Sequence, residues 1–242
     1  MWALFAKEIR SFLSSLIGYV TIGVFLLLTG IFLWIYPDSG FNIFQSGRSS
    51  LENLFEFAPF VFLLLIPAIT MRSFAEEKRV GTLELLMTKP LSDYQIIWAK
   101  FMAGFTLVII SIVPTLTYYW CLKELKTDLS EVDTGKMWGS YIGLLFLGGA
   151  YVAIGIFASS LSSNQVVAFI LACCLSLFML IGFDGVSILI GSTDSFIMKL
   201  GIAEHYYSIR KGLVDTRDLL YFISLIVVYI ILTKLVLTSR HW

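Results

Sequence analysis

The sequence predicts an all-α integral membrane protein with six transmembrane helices, and three observations carry that expectation. Of its 242 residues, 58% are hydrophobic and 14% charged, whereas a soluble domain carries about 45–50% apolar and about 25% charged residues. Six apolar stretches approach or reach the roughly 20 residues that cross a hydrocarbon core. The 17 basic residues are matched by 17 acidic ones, so no basic field exists to hold nucleic acid. A soluble enzyme, a disordered chain and a nucleic-acid module are excluded, and membrane lipid is the surrounding medium.

The chain opens with Trp2, Phe5, Ile9, Phe12 and Leu13 at helical spacing, opposed by Lys7, Glu8, Arg10 and Ser11. That pattern predicts an amphipathic helix lying in the membrane interface, or alternatively a plain extension of the first span. The spans are expected at 16–36, 51–71, 101–121, 137–161, 166–183 and 219–237 of a single domain covering 1–242. Pro37 ends the first, while Pro59, Pro67 and Pro114 lie inside later spans, where neighbouring helices can satisfy the freed carbonyls. Ser49-x-x-Glu52, Ser92-x-x-Gln95 and Ser162-x-x-Gln165 read as capping boxes ahead of spans two, three and five. The segment after span five holds an apolar run at 186–190, too short to cross, framed by Asp184, Gly185, Gly191 and Asp194. It reads as a short re-entrant or interfacial element before span six, with a plain loop as the alternative. In the polar run 204–218 that follows, Glu204, His205 and 210–218, together with Asp184, read as a solvated outer face, with contact to a partner subunit as the alternative.

Orientation follows from Lys and Arg near the spans. Lys7 and Arg10 flank the first span, and the connector between spans two and three holds Arg72, Lys78, Arg79, Lys89 and Lys100. Both termini and this connector are therefore expected on the cytoplasmic side.

No charged residue occurs in 16–36, 59–71, 101–121, 138–161 or 166–183. Ion-coupled transporters normally retain a charge near the midplane beside a broken helix. His-Glu-x-x-His is also absent, and Cys121, Cys173, Cys174, His205 and His241 form no metal-ligand spacing. The expectation is a protein with no catalytic residue and no metal, whose free energy comes from a partner. Small residues, with Gly139, Gly143, Gly149 and Gly155 at their head, recur along span four and predict close helix packing. That packing serves either the chain's own bundle or a dimer seam.

Concentrated polar chemistry lies at 72–100, RSFAEEKRVGTLELLMTKPLSDYQIIWAK. Gly81 breaks a helical run. Thr82 is expected to cap a new short helix at 83–88, with Glu84 near its positive end and Leu83, Leu85, Leu86 and Met87 as an apolar ridge. Pro90 stops it. Such a ridge suits force transmission, or packing against lipid headgroups.

The string EEKRVGTLELLMTKPLS resembles the E-x-x-x-G-T-x-E-L-L-x-T-x-P-L-S loop of ABC-2-type transporter permeases. In that family the loop forms the coupling helix that docks on the ATP-binding subunit. The resemblance implies that role for Glu77, Gly81, Thr82, Glu84, Leu85, Leu86, Thr88 and Pro90, and a type V exporter-like fold for the whole chain. IGYVTIGVFLLLTGIFLWIYP, IPAITMRSF and RKGLVDTRDLLYF further resemble the gliding-motility-associated permeases of the bacterial inner membrane. Those relatives imply a separate ATPase and a second permease subunit, identical or with a large extracytoplasmic domain. No phosphate-cradling Gly-x-x-x-x-Gly-Lys-Ser/Thr occurs, so ATP and Mg²⁺ are expected on the partner. The alternative is a membrane scaffold that couples ATP hydrolysis to an envelope motility or secretion machine without passing a solute.

Overall fold

The computed structural model describes residues 1–36, 41, 51–88, 90–125, 134–190 and 197–239, and no strand occurs among them. Helix α1 (Trp2–Leu13) is separated from α2 (Leu16–Gly30) by a turn at Ser14–Ser15. The Ser15 hydroxyl donates to Phe12 O at 2.9 Å and accepts from Gly18 N at 3.3 Å, ending one helix and capping the next. Leu4 is buried, and Phe5, Ile9, Phe12 and Leu13 pack on the core while Trp2 stays exposed. This amphipathic helix is therefore distinct from the first span, which α2 and a π-helical turn at Ile31–Ile35 complete.

The remaining elements alternate across the bundle: α3 (Glu52–Thr70), α4 (Arg72–Val80), α5 (Thr82–Met87), α6 (Asp93–Ile112), α7 (Leu116–Leu125), α8 (Thr134–Leu161), α9 (Gln165–Leu177), α10 (Phe183–Ile190), α11 (Ile202–Arg210) and α12 (Thr216–Thr238). Six helices among the described residues are long and apolar enough to cross a membrane, in the order expected from hydropathy. The end of the bundle that carries α4 and α5 is termed here the hairpin end, and its opposite the far end.

Pro114 removes a backbone donor between α6 and α7, and a 3₁₀ turn at Val113–Thr115 absorbs the defect. Hydroxyls bond to carbonyls around this turn. Thr115 Oγ1 donates to Ile112 O at 2.7 Å, Thr117 Oγ1 to Pro114 O at 2.7 Å, and Tyr141 OH to Thr115 O at 3.1 Å. Helix α8 is the spine, packing against α3, α4, α6, α9, α11 and α12. Its glycines make this possible. A Cβ at Gly155 would collide with Thr70 of α3, one at Gly143 would lie 2.6 Å from Ile209 of α11, and one at Gly149 would lie 3.2 Å from Ile226 of α12. Gly139 meets the backbone of Gly212 at 3.1 Å. All four approaches are within one chain.

Several local expectations are corrected. Span five does not end near Phe183: a π-helical turn at Phe178–Gly182 carries it into α10, so the 186–190 run extends that helix. Helix α9 is capped by Asn164, whose side chain accepts from Val166 N at 2.9 Å, and not by Ser162 with Gln165. Gln165 is diverted to Glu76 of α4 instead. The Ser92–Gln95 box forms as expected, whereas Ser49 lies outside the described residues. The polar run 204–218 is not uniformly solvated. It includes most of α11, whose Ile202, Tyr206 and Ile209 are buried on one face.

Candidate functional site

Helix α4 continues the helix of span two, with Met71 as the only residue between α3 and α4. A helix start leaves backbone donors without partners. Here Ser159, from the end of α8, supplies the missing acceptor: its Oγ accepts from Phe74 N at 2.9 Å and Ala75 N at 3.0 Å, and donates to Met71 O at 3.0 Å. Phe74 and Ala75 are fully buried. Reciprocally, Lys78 Nζ donates to Ser160 O at the end of α8, where cations are favoured. Arg79 pairs with Glu76 at 2.7 Å, and Glu76 also accepts from Gln165 of α9.

Beneath α4 lies a closed cluster of four charges. Lys100, its side chain 1% exposed, reaches Glu77 Oε1 at 2.9 Å, Glu8 Oε1 at 3.0 Å and the Ser73 carbonyl at 2.6 Å. Its ammonium also lies 5.0 Å from the Phe74 ring centre. Lys7 completes the set, 3.3 Å from Glu77 Oε1 and 3.5 Å from Glu8 Oε1. Burial alone would lower the pKa of Lys7, but the Glu8 and Glu77 carboxylates outweigh it and raise the group above its ordinary 10.5. The cluster joins α1, α4 and α6, and its charges cancel. Desolvation of such a set is tolerable only because every ion is paired.

Gly81 then turns the chain. Its φ of +75° is left-handed, and no atom comes within 4 Å of a Cβ built on it, so the backbone angle and not space calls for glycine. Its N–H closes α4 on Glu77 O and Lys78 O. Gly81 also occupies the N-cap position of α5, so Thr82 is the first helical residue and not the cap. The Thr82 hydroxyl instead points back to Glu77 O at 3.5 Å. Within α5, Leu83 is buried at 9% and Leu86 is half-buried, while Leu85 is 65% exposed. The expected ridge therefore splits, one side seated on α4 and the other facing out. Glu84, Leu85, Thr88 and Pro90 lie on the exposed surface. Thr88 Oγ1 closes the helix on Leu85 O at 2.9 Å.

The residues named from the sequence thus fall into an anchor (Glu77, Leu83, Leu86), a turn (Gly81, Thr82) and an outward face (Glu84, Leu85, Thr88, Pro90). Lys100, Glu8 and Ser159 were not anticipated. A lysine between apolar neighbours in IIWAKFMAG is the trace that Lys100 leaves in the sequence.

At the far end, Tyr206 OH donates to Phe55 O at 2.6 Å. His205 lies between Asp218 Oδ1 at 2.7 Å and Lys199 O at 2.9 Å, stacked 4.0 Å from the Tyr221 ring. Between these two ends, the buried polar groups of the spans are hydroxyls such as Thr29, Thr70, Ser111, Thr115 and Thr233.

Residues 35–202 match the family described as ABC-2 family transporter protein. No curated protein matches the chain. The matched stretch covers well over half of the 242 residues and includes α3 to α10 with the whole hairpin. The chain belongs to the ABC-2 transporter family and is a multi-pass membrane permease subunit, of a kind that works with an ABC ATPase.

Proposed function

We propose that this permease is driven from its hairpin end, with α5 as the coupling helix that receives the motion of the ATPase. ATP and its Mg²⁺ sit on that partner, and α4 passes the displacement to span two and, through Lys100, to span three. The hairpin and both termini face the cytoplasm of a bacterium, and the transporter is of the gliding-motility or export type. A second permease, identical or with a large extracytoplasmic domain, completes the membrane unit.

One contrast supports this reading: α5 offers Glu84 and Leu85 outward, while α4, one residue away across Gly81, is fixed to α1, α6, α8 and α9 by backbone, hydroxyl and ionic bonds. A displacement applied to α5 therefore reaches the bundle through a stiff link. The experiment is co-purification of the tagged permease with its ATPase. Glu84→Lys combined with Leu85→Asp should abolish capture and permease-stimulated ATP turnover, while the variant remains folded in the membrane. Capture and turnover at wild-type levels would refute the assignment.

A further inference from the structure

Between α1 and α4 lies a cleft of about 540 Å³ that the coupling role does not use. Its lining is mixed. Ile69 of α3 and Phe12 of α1 are apolar, whereas Ser11, Ser15, Arg72, Ser73 and Gln165 are polar. Three cations line it, and two are neutralised: Lys7 by Glu8 and Glu77, Arg79 by Glu76. Arg72 is the exception. Among the described residues it forms no ion pair, and its Nε is buried with no hydrogen-bond partner. With Lys100 beneath, the four cations Lys7, Arg72, Arg79 and Lys100 face the three carboxylates Glu8, Glu76 and Glu77, which leaves one positive charge, on Arg72. Ser11 and Ser73 also line the cleft.

We propose that this cleft holds the phosphate of a membrane phospholipid headgroup on Arg72, with Ser11 and Ser73 as further donors. A guanidinium presents donors in a fork that matches phosphate oxygens, and a buried donor without a partner favours an acceptor. The cleft adjoins Met71, where the apolar run of span two ends and headgroups are expected, and Ile69 and Phe12 suit the first carbons of an acyl chain. Those two apolar side chains favour a tethered phosphate over a free one. The site does not depend on which side of the membrane the hairpin faces, nor on the coupling role.

The test is native mass spectrometry of the delipidated full-length chain in detergent, titrated with phosphatidylglycerol, with diacylglycerol of the same chains, and with inorganic phosphate. Phosphatidylglycerol should bind a first site, and the other two should not bind it at the same concentrations. Arg72→Gln should weaken that site about tenfold or more, the consequence of losing a charged hydrogen bond. Arg10→Gln, on the exposed face of α1, should leave it unchanged. Equal affinity for diacylglycerol, equal affinity for inorganic phosphate, or an unaltered site in a folded Arg72→Gln variant would each overturn the proposal. If that variant fails to fold, the competition among the three probes on the wild-type chain decides alone.

Discussion

At the hairpin end, a lysine is buried among carboxylates contributed by α1 and α4; at the far end, a buried tyrosine meets a carbonyl, and a half-buried histidine meets a carbonyl, the Asp218 carboxylate and an aromatic ring. The two ends hold helices together by different physics. Charged hydrogen bonds are directional, so the Lys100 cluster fixes α1, α4 and α6 in one register and resists their rotation. At the far end, α11 seats Ile209 over Gly143 and Tyr206 over the backbone of α3, a fit made mainly by shape. Of the far-end ionic contacts, Arg210–Glu56 at 3.2 Å and Lys136–Glu52 involve more exposed carboxylates, while the buried Asp218 carboxylate is met by the His205 ring. Charged hydrogen bonds are concentrated where α4 joins α1 and α6, and no charged residue occurs in 16–36, 59–71, 101–121, 138–161 or 166–183.

The largest effect that would break this comparison comes from Lys100→Met. It leaves the buried Glu77 and the half-buried Glu8 with only the more exposed Lys7 as counter-ion, at a cost of about 3–5 kcal/mol. Thermal unfolding in detergent should show the loss, and adding Glu77→Leu should recover a good part of it, because a buried pair replaced by apolar groups is often neutral. Failure of the double variant to recover would mean that the charges do more than pair. Next in size is Gly143→Leu at the far end, where the added side chain meets Ile209 at once. Overpacking there should cost about 1–3 kcal/mol. Gly23→Leu in α2, with nothing within 4 Å of the new Cβ, should cost far less, and equal destabilisation of both would contradict the shape-based account.

The smallest effect concerns pH. The folded-state pKa of Lys7 is raised above 10.5, so its stabilising contribution is complete below that value and fades only as pH climbs through the higher one. Docking of α1, followed by Trp2 fluorescence, should therefore stay constant through the neutral range. A transition near neutrality would show that another group controls the junction.

Much of this architecture is legible in the sequence because hydropathy and proline positions are local signals. The six spans, the Ser92–Gln95 cap and the left-handed glycine at 81 could all be read from neighbours in the chain. The Lys100 cluster could not, since Glu8 lies 92 residues away and only folding places it within reach. Helix α11 was hidden for a different reason. Ile202, Tyr206 and Ile209 do recur at helical spacing, but over nine residues shared with Glu204, His205 and Arg210 the stripe is too short to outweigh the polar average. The cap of α9 went unread because Asn164 and Ser162 offer competing oxygens, and Gln165 found a tertiary partner in Glu76.

The central claim, that the ATPase engages the bundle at α5, is tested most directly by site-specific cross-linking. In a background lacking Cys121, Cys173 and Cys174, a single cysteine is introduced by Leu85→Cys or, at the exposed far end, by Tyr207→Cys. The account predicts that Leu85→Cys cross-links to the ATPase subunit and Tyr207→Cys does not. Cross-linking through Tyr207→Cys with none through Leu85→Cys would contradict it.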